Sequence, residues 1–414
     1  MRNVSFTILM SYLASSVAAQ AQVGNVKFDL MHTVPECSQK LSASSPQNGN
    51  VGAKMPASWC RGTDREAVAL KSGMEPKVVE MVNAAKDPSR AYIAIAYFSF
   101  SNRAVFTALC ERAKAGVKID GFFDTDYQGD PTNMPGQLGS VYDPSTKKGC
   151  LKPGAKNVTV RFLGRKDFDN DVWRLHHNKF LLVDTGNPGD DVFVNFSSGN
   201  LSSNGLSLHF DHWAMTQSPK SSNLVKQHYC VVDALKVAKP NQANADEDKP
   251  IEYRLALDTC LRNKTGWSPS QAWVETSIRN EGIAPLFSPD PKDFILATLL
   301  AQIEKVKKGG HIFGAMQHFK HWDIANALKK AVSRGVRVTL LMDDDIILGE
   351  GEVPRVREFY DKYLKAEVTG MDIRFMVTNS GKVSGDYPQM MHNKYIVLEG
   401  VDSNGDVKAD TNRV

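Results

Sequence analysis

The sequence predicts an α/β fold of two similar lobes, each a mixed sheet flanked by helices. Three observations carry that expectation. Helical and strand-like patterns alternate along most of the 414 residues, as in folds whose buried strands read as continuous apolar runs. The order of those segments occurs twice. One short phrase also stands once in each half: His177-Asn178-Lys179 and His392-Asn393-Lys394, each running into an apolar stretch that ends in a carboxylate.

The first copy opens at Pro76-Lys77 with a helix-period stretch to Ala85, then the strand AYIAIAYFSF. A second helical run, AVFTALCERAKAG, leads into the strand VKIDGFF and the polar turn DTD. The second copy opens at Pro291-Lys292 with a helix to Val306, then HIFGAMQHF, the helical IANALKKAVSRG, the strand VRVTLLM and the turn DDD. Gly116 and Gly335 hold the same place, one residue before a β-branched strand, where a helix C-terminal cap needs positive φ. VTVRFLG (158–164) then matches MDIRFMV (371–377), and both precede the His-x-Lys phrases. The unit is too long for a solenoid and occurs only twice, so the expectation is two lobes. The first spans residues 22–238 and the second 272–414. Between them, 239–271 reads as a linker, because KPNQANADEDKP and RNKTGWSPSQ are polar and lack an apolar period.

At the N-terminus, Met1-Arg2 precedes an apolar run from Val4 to Val17 and the small-residue segment Ala18-Ala19-Gln20-Ala21. This reads as a secretory signal over residues 1–21, with cleavage after Ala21 and a secreted or periplasmic product. No later stretch reaches the roughly 20 apolar residues of a spanning helix. Cys37, Cys60, Cys110, Cys150, Cys230 and Cys260 are even in number and form no C-x-x-C pair, so disulfides are expected in an exported chain. Their pairing is open; sequential pairing would close modest loops and leave the second lobe unbridged. The net charge of +4 suits an anionic substrate without choosing one, and no block of basic residues reads as a nucleic-acid arm.

On a strand, residues i and i+2 share a face. His177 therefore points with Lys179, and His392 with Lys394. Two imidazoles and two ammoniums supply what attack on a phosphodiester requires without a metal or other cofactor: a nucleophile, a proton donor and charge on the phosphate oxygens. After the first phrase comes VFVNFSSGNLSSNG, where Ser198 and Asn200 follow a strand among small residues that allow an anion to approach the backbone. Asp343-Asp344-Asp345 reads as a polar turn rather than a metal site, since Asp124 and Asp126 occupy the equivalent strand end. Trp173, Arg174, Tyr387, Met390 and Met391 flank the two phrases and are candidates for a cleft rim or for packing.

HNKFLLVD followed by SSGNLS resembles the phospholipase D superfamily signature, H-x-K-x4-D followed by G-S-x-N, and the resemblance covers roughly residues 76–414. It implies two α/β lobes with the active site at their interface. It further implies a covalent phosphohistidine, with His177 as nucleophile and His392 as general acid, or the two exchanged. Lys179, Lys394, Ser198 and Asn200 would bind phosphate. Asp184 and Glu399 would be structural, and Asp211 in HFDHW would orient an imidazole. Ser197 and Glu399 depart from the family's Gly and Asp. The chain ends at Val414, where a second G-S-x-N would begin, so it is expected to be truncated. The function this implies is an exported phospholipase D acting on phospholipid at a membrane surface, with no stable protein partner. The alternatives are a nuclease of the same superfamily or a non-catalytic lipid- or phosphate-binding protein.

Overall fold

A computed structural model describes residues 19–23, 26–33, 40–42, 74–164, 176–238, 252–288, 293–343, 353–377 and 390–400, apart from a few loop positions. Residues 1–18 of the expected signal, Cys37, Cys60, Trp173, Arg174, residues 239–250, Asp344, Asp345, Tyr387 and residues 401–414 lie outside this set, as does the Met390 side chain.

Strands β1 (Ala19–Val23), β2 (Val26–His32) and β3 (Lys40–Ser42) come first in the chain. The first lobe continues with β4 (Tyr92–Tyr97), β5 (Lys118–Asp124), β6 (Val158–Leu163), β7 (Lys179–Asp184), β8 (Asp191–Ser197), β9 (His209–Phe210) and β10 (His212–Pro219). The second holds β11 (His311–Met316), β12 (Arg337–Asp343), β13 (Asp372–Val377), β14 (Met390–Met391) and β15 (Lys394–Glu399). An eight-stranded sheet runs β1-β2-β10-β8-β7-β4-β5-β6, and a five-stranded sheet runs β15-β11-β12-β13-β3. The repeat is visible in the pairing. β4 lies parallel to β5 and antiparallel to β7, as β11 lies parallel to β12 and antiparallel to β15. The two-lobed α/β architecture is as the sequence predicts.

The central strands of the first lobe are buried on both faces, and their alternation divides the core in two. Ile93, Ile95, Tyr97, Leu181 and Val183 face one cluster with helices Met74–Ala84 and Arg103–Ala115. Ala94, Ala96, Phe180 and Leu182 face the other, with helix Asn223–Val237. A two-residue period on a doubly covered sheet leaves no polar face, which is why these strands read as apolar runs. The helix ends follow local chemistry. Asn102 accepts from the Val105 N–H at 2.9 Å and caps Arg103–Ala115, while Gly116 (φ 99) and Gly335 (φ 86) take the left-handed conformation expected of them.

Residues 252–265, within the stretch read as a linker, form a helix (Glu252–Thr265) whose Leu257 and Leu261 join the second of these clusters. Cys230 and Cys260 tie it to helix Asn223–Val237, and Cys110 pairs with Cys150. These are two of the three sequential pairs. Among the described residues, no helix is long and apolar enough to cross a membrane. Two strand pairings among the described residues join the second lobe to the rest of the chain. β3 adds an early segment of the chain to the edge of the second sheet, against β13, and β9 pairs in parallel with β14.

The Cys230–Cys260 bridge closes a separation of 30 residues. Replacing both with serine should cost about 3.6 kcal/mol by loop entropy, seen as a lower urea midpoint under non-reducing conditions.

Candidate active site

The strand ends that matter lie along one edge of each sheet. Lys179 opens β7 opposite Tyr97, the last residue of β4, and Lys394 opens β15 opposite Met316, the last residue of β11. Each histidine therefore sits just beyond the carboxyl ends of the parallel strands, the usual ligand side of such sheets. The short β9–β14 ladder sets the two edges against each other. His392 donates its backbone N–H to the Phe210 carbonyl at 3.0 Å, and Phe210, Ala315 and Met391 form a small apolar cluster across the junction.

This junction brings Asp211 of the first lobe against His392 of the second. Nδ1 of His392 lies 2.8 Å from Oδ1 of Asp211, and Asp211 is fully buried. The same Oδ1 accepts the Ser198 hydroxyl at 2.7 Å, while Ser198 Oγ accepts the His212 N–H at 3.1 Å. Ser198, a candidate phosphate ligand, thus directs its proton to Asp211. Gly199 makes this close approach feasible: a Cβ there would lie 2.6 Å from the Trp213 ring and 2.9 Å from the Asp211 carboxyl. Asn200 accepts the Ser99 N–H through Oδ1 at 3.3 Å, leaving its amide nitrogen as the donor.

His177 is exposed. Lys179 Nζ stands 3.1 Å from its ring nitrogens, and Phe98 packs on the ring with centroids 5.0 Å apart. Lys394 Nζ donates to the His392 carbonyl at 3.1 Å. The four groups share one electrostatic environment. Desolvation, then Lys179, Lys394 and His392, push the His177 imidazole down to about 3. Desolvation and Lys394 lower Lys179 to about 7, and desolvation lowers Lys394 to about 8. Desolvation also lowers His392, against the upward pull of Asp211. Burial pushes Asp211 up, but the His392 contact and the charge there hold it below the usual carboxylate range. An imidazole contacted by Lys179, a carboxylate-supported imidazole from the other lobe and two desolvated ammoniums make a site suited to an anion.

Asp184 ends β7 far from this edge, bonded to Tyr229 Oη at 2.6 Å and paired with Lys220 at 2.5 Å. Glu399 ends β15 in the corresponding place. His209, Asp211 and His392 bring three ligand-type atoms within 4.8 Å of one another. The ammonium of Lys394 acts on the same imidazoles and opposes a cation there. Sequence reasoning quoted HFDHW for Asp211 and passed over His209, whose ring centroid lies 5.9 Å from that of His392. It read Asp124 and Asp343 as turn residues. Both are buried, and both bond to backbone beside a His-x-Lys phrase.

Two His-x-Lys pairs from duplicated α/β lobes, facing one anion site, define a phospholipase D superfamily protein, a class of phosphodiesterases and phosphotransferases. The chain matches the family model described as "Cardiolipin synthase, PLD-like domain" over residues 78–230 and 299–404, and it belongs to that family. No curated protein matches it. Among solved structures it is similar to NucT from Helicobacter pylori, at 18% identity over 41% of this chain and 88% of that one, with a TM-score of 0.28. It is also similar to phosphatidylserine synthase of Haemophilus influenzae Rd KW20, at 11% identity over 78% and 74% of the two chains, with a TM-score of 0.43. The yeast tyrosyl-DNA phosphodiesterase gives 10% identity over 77% and 76%, with a TM-score of 0.37.

The lowered lysines carry charge below about 7 and 8 and lose it above. Dimethyl phosphate stays a monoanion across this range. Its affinity, measured by calorimetry, should fall about 10-fold between about pH 6 and about pH 9; constant affinity would contradict the anion site.

Proposed function

We propose that this protein is an exported phospholipase D that hydrolyses phospholipid head groups without a metal, through a covalent phosphohistidine. The observation that carries the reading is the division of labour between the imidazoles. His177 is held neutral beside two ammoniums, while His392 bonds to a buried carboxylate from the other lobe. A neutral imidazole has the lone pair a nucleophile needs, and a carboxylate partner favours the protonated form a general acid needs.

In this scheme a ring nitrogen of His177 attacks phosphorus and the bond to the leaving oxygen breaks. His392 delivers its proton to that oxygen. Lys179 and Lys394 hold the phosphoryl oxygens, with the Asn200 amide in support, and their charge counters the negative charge that builds on them. Asp211 stabilises the imidazolium of His392 before transfer. Water then attacks phosphorus and gives its proton to His392, and the phosphorus–nitrogen bond breaks to release phosphatidate. An alcohol in place of water gives the transfer product.

The matching family's description as a cardiolipin synthase favours phospholipid. So does the absence of a basic block in a chain of net charge +4, because nucleic-acid affinity draws on many cationic contacts. The N-terminal segment and the two disulfides support export. A nuclease is the second reading, since the same groups act on any phosphodiester.

With phosphatidylcholine and ethanol the protein should form phosphatidylethanol, and EDTA should leave the rate nearly unchanged. Nucleotide release from DNA without lipid turnover would replace the lipid reading with the nuclease one. His177→Ala should abolish the acid-labile phosphoenzyme; undiminished labelling would move the nucleophile to His392.

A further inference from the structure

Each lobe ends one parallel strand in a buried aspartate: Asp124 at the end of β5 and Asp343 at the end of β12. Oδ2 of Asp124 accepts the backbone N–H of His176 at 2.7 Å, and Oδ2 of Asp343 accepts that of Met391. These are the residues immediately before His177 and His392. On the far side of each histidine a second bond recurs. The Phe98 N–H donates to the Asn178 carbonyl at 3.0 Å, and the Gln317 N–H donates to the Asn393 carbonyl at 3.1 Å. Each histidine is the middle residue of a three-residue bracket, with a carboxylate on its leading N–H and a backbone donor on its trailing carbonyl.

The bracket has a physical reason. Lys179 is the first residue of β7 and Lys394 the first of β15, so both histidines precede those strands; His392 keeps one backbone partner, the Phe210 carbonyl at 3.0 Å. A buried, unpaired N–H costs about 1–3 kcal/mol, and a segment without it would be free to swing. A carboxylate on a neighbouring strand end supplies a charged acceptor, the stronger kind. Asp124 is held further by the Asp126 N–H on Oδ1 at 3.1 Å, which fixes the direction of its other oxygen. Burial pushes the Asp124 carboxyl up, and these two N–H groups oppose that push.

We infer that Asp124 and Asp343 are positioning residues, each setting the reach of one imidazole through the backbone bracket that holds it: Asp124 for His177 and Asp343 for His392. Each acts through the backbone bond described above. The assignment of separate chemical consequences to the two rests on the nucleophile and acid roles proposed above.

Asp124→Asn and Asp343→Asn separate those consequences. An alkyl phosphodiester needs its leaving oxygen protonated, and a p-nitrophenyl phosphodiester does not. Asp124→Asn should lower kcat about 10- to 100-fold on both substrates, the cost of a misplaced nucleophile. Asp343→Asn should slow the first, phosphoryl-transfer step, read as the pre-steady-state burst of released alcohol, comparably on the alkyl ester and little on the p-nitrophenyl ester. The later attack of water also uses His392 and should slow on both. KM should move little in either. Asp184→Asn, which alters a buried carboxylate away from the site, controls for general loosening and should not change the ratio of rates on the two substrates. Because an Asn carbonyl oxygen can still accept the N–H, Asp124→Ser and Asp343→Ser, too short to reach it, are the second variants, and the same outcomes are expected of them.

Ring 15N–1H NMR spectra of the full chain read positioning whether or not the protein turns over substrate. Asp124→Asn should shift the His177 ring signals and spare those of His392, and Asp343→Asn the reverse. Unchanged ring signals in both variants would overturn the inference. Shifted signals in a chain with no phosphodiesterase activity would leave the brackets standing and remove the proposed reaction instead.

Discussion

The rest of the site depends on the contact between Asp211 and His392. Asp211 is fully buried, and a buried carboxylate persists as an anion only where hydrogen bonds and charge replace its lost water. Its Oδ1 has the Ser198 hydroxyl from its own lobe and the imidazole from the other. Because the imidazole comes from the second lobe, the pair holds only when the lobes are docked. Breaking such a pair by removing one partner is expensive, about 3–5 kcal/mol, because a charge is left stranded. Docking, the state of His392 and the geometry of the S-x-N turn are therefore one constraint.

The surrounding residues reflect what that contact demands. Gly199 has no side chain because the carboxylate and the Trp213 ring occupy the space a Cβ would need. The β9–β14 ladder is only two residues long on each strand, yet it delivers His392 to within hydrogen-bonding distance of Asp211. On the first lobe, His177 has no carboxylate partner among the described residues and instead faces ammoniums. Duplication supplied two equal phrases. Their environments made the two imidazoles unequal, and that inequality is what an acid and a nucleophile require.

Much of this was legible in the chain. The alternation of helix and strand, the two Gly caps and the His-x-Lys phrases all depend on local rules: period, φ preference and shared strand faces. Those rules act within a few residues, so AYIAIAYFSF reads as a strand without knowledge of what covers it. The helix Glu252–Thr265 was less legible, because it presents a narrow buried stripe of Tyr253, Leu257 and Leu261 amid polar residues and packs against helix Asn223–Val237. Asp124 and Asp343 were legible as strand-end turn residues, but their bonds to His176 and Met391 were not. An aspartate at a strand end reads as a turn residue until the acceptor it becomes is known, and their acceptor role spans 52 residues in one lobe and 48 in the other.

By itself the sequence determined the family, the doubled α/β plan and the two imidazole–lysine pairs, since each is written in contiguous residues. Tertiary structure alone decided which imidazole Asp211 serves and where the Ser198 proton goes. It also decided which strand ends pin the histidines. Those are contacts between residues far apart in the chain, and at such distances neither spacing nor periodicity carries information. Only the docking of one sheet edge against another selects among the partners that the composition allows.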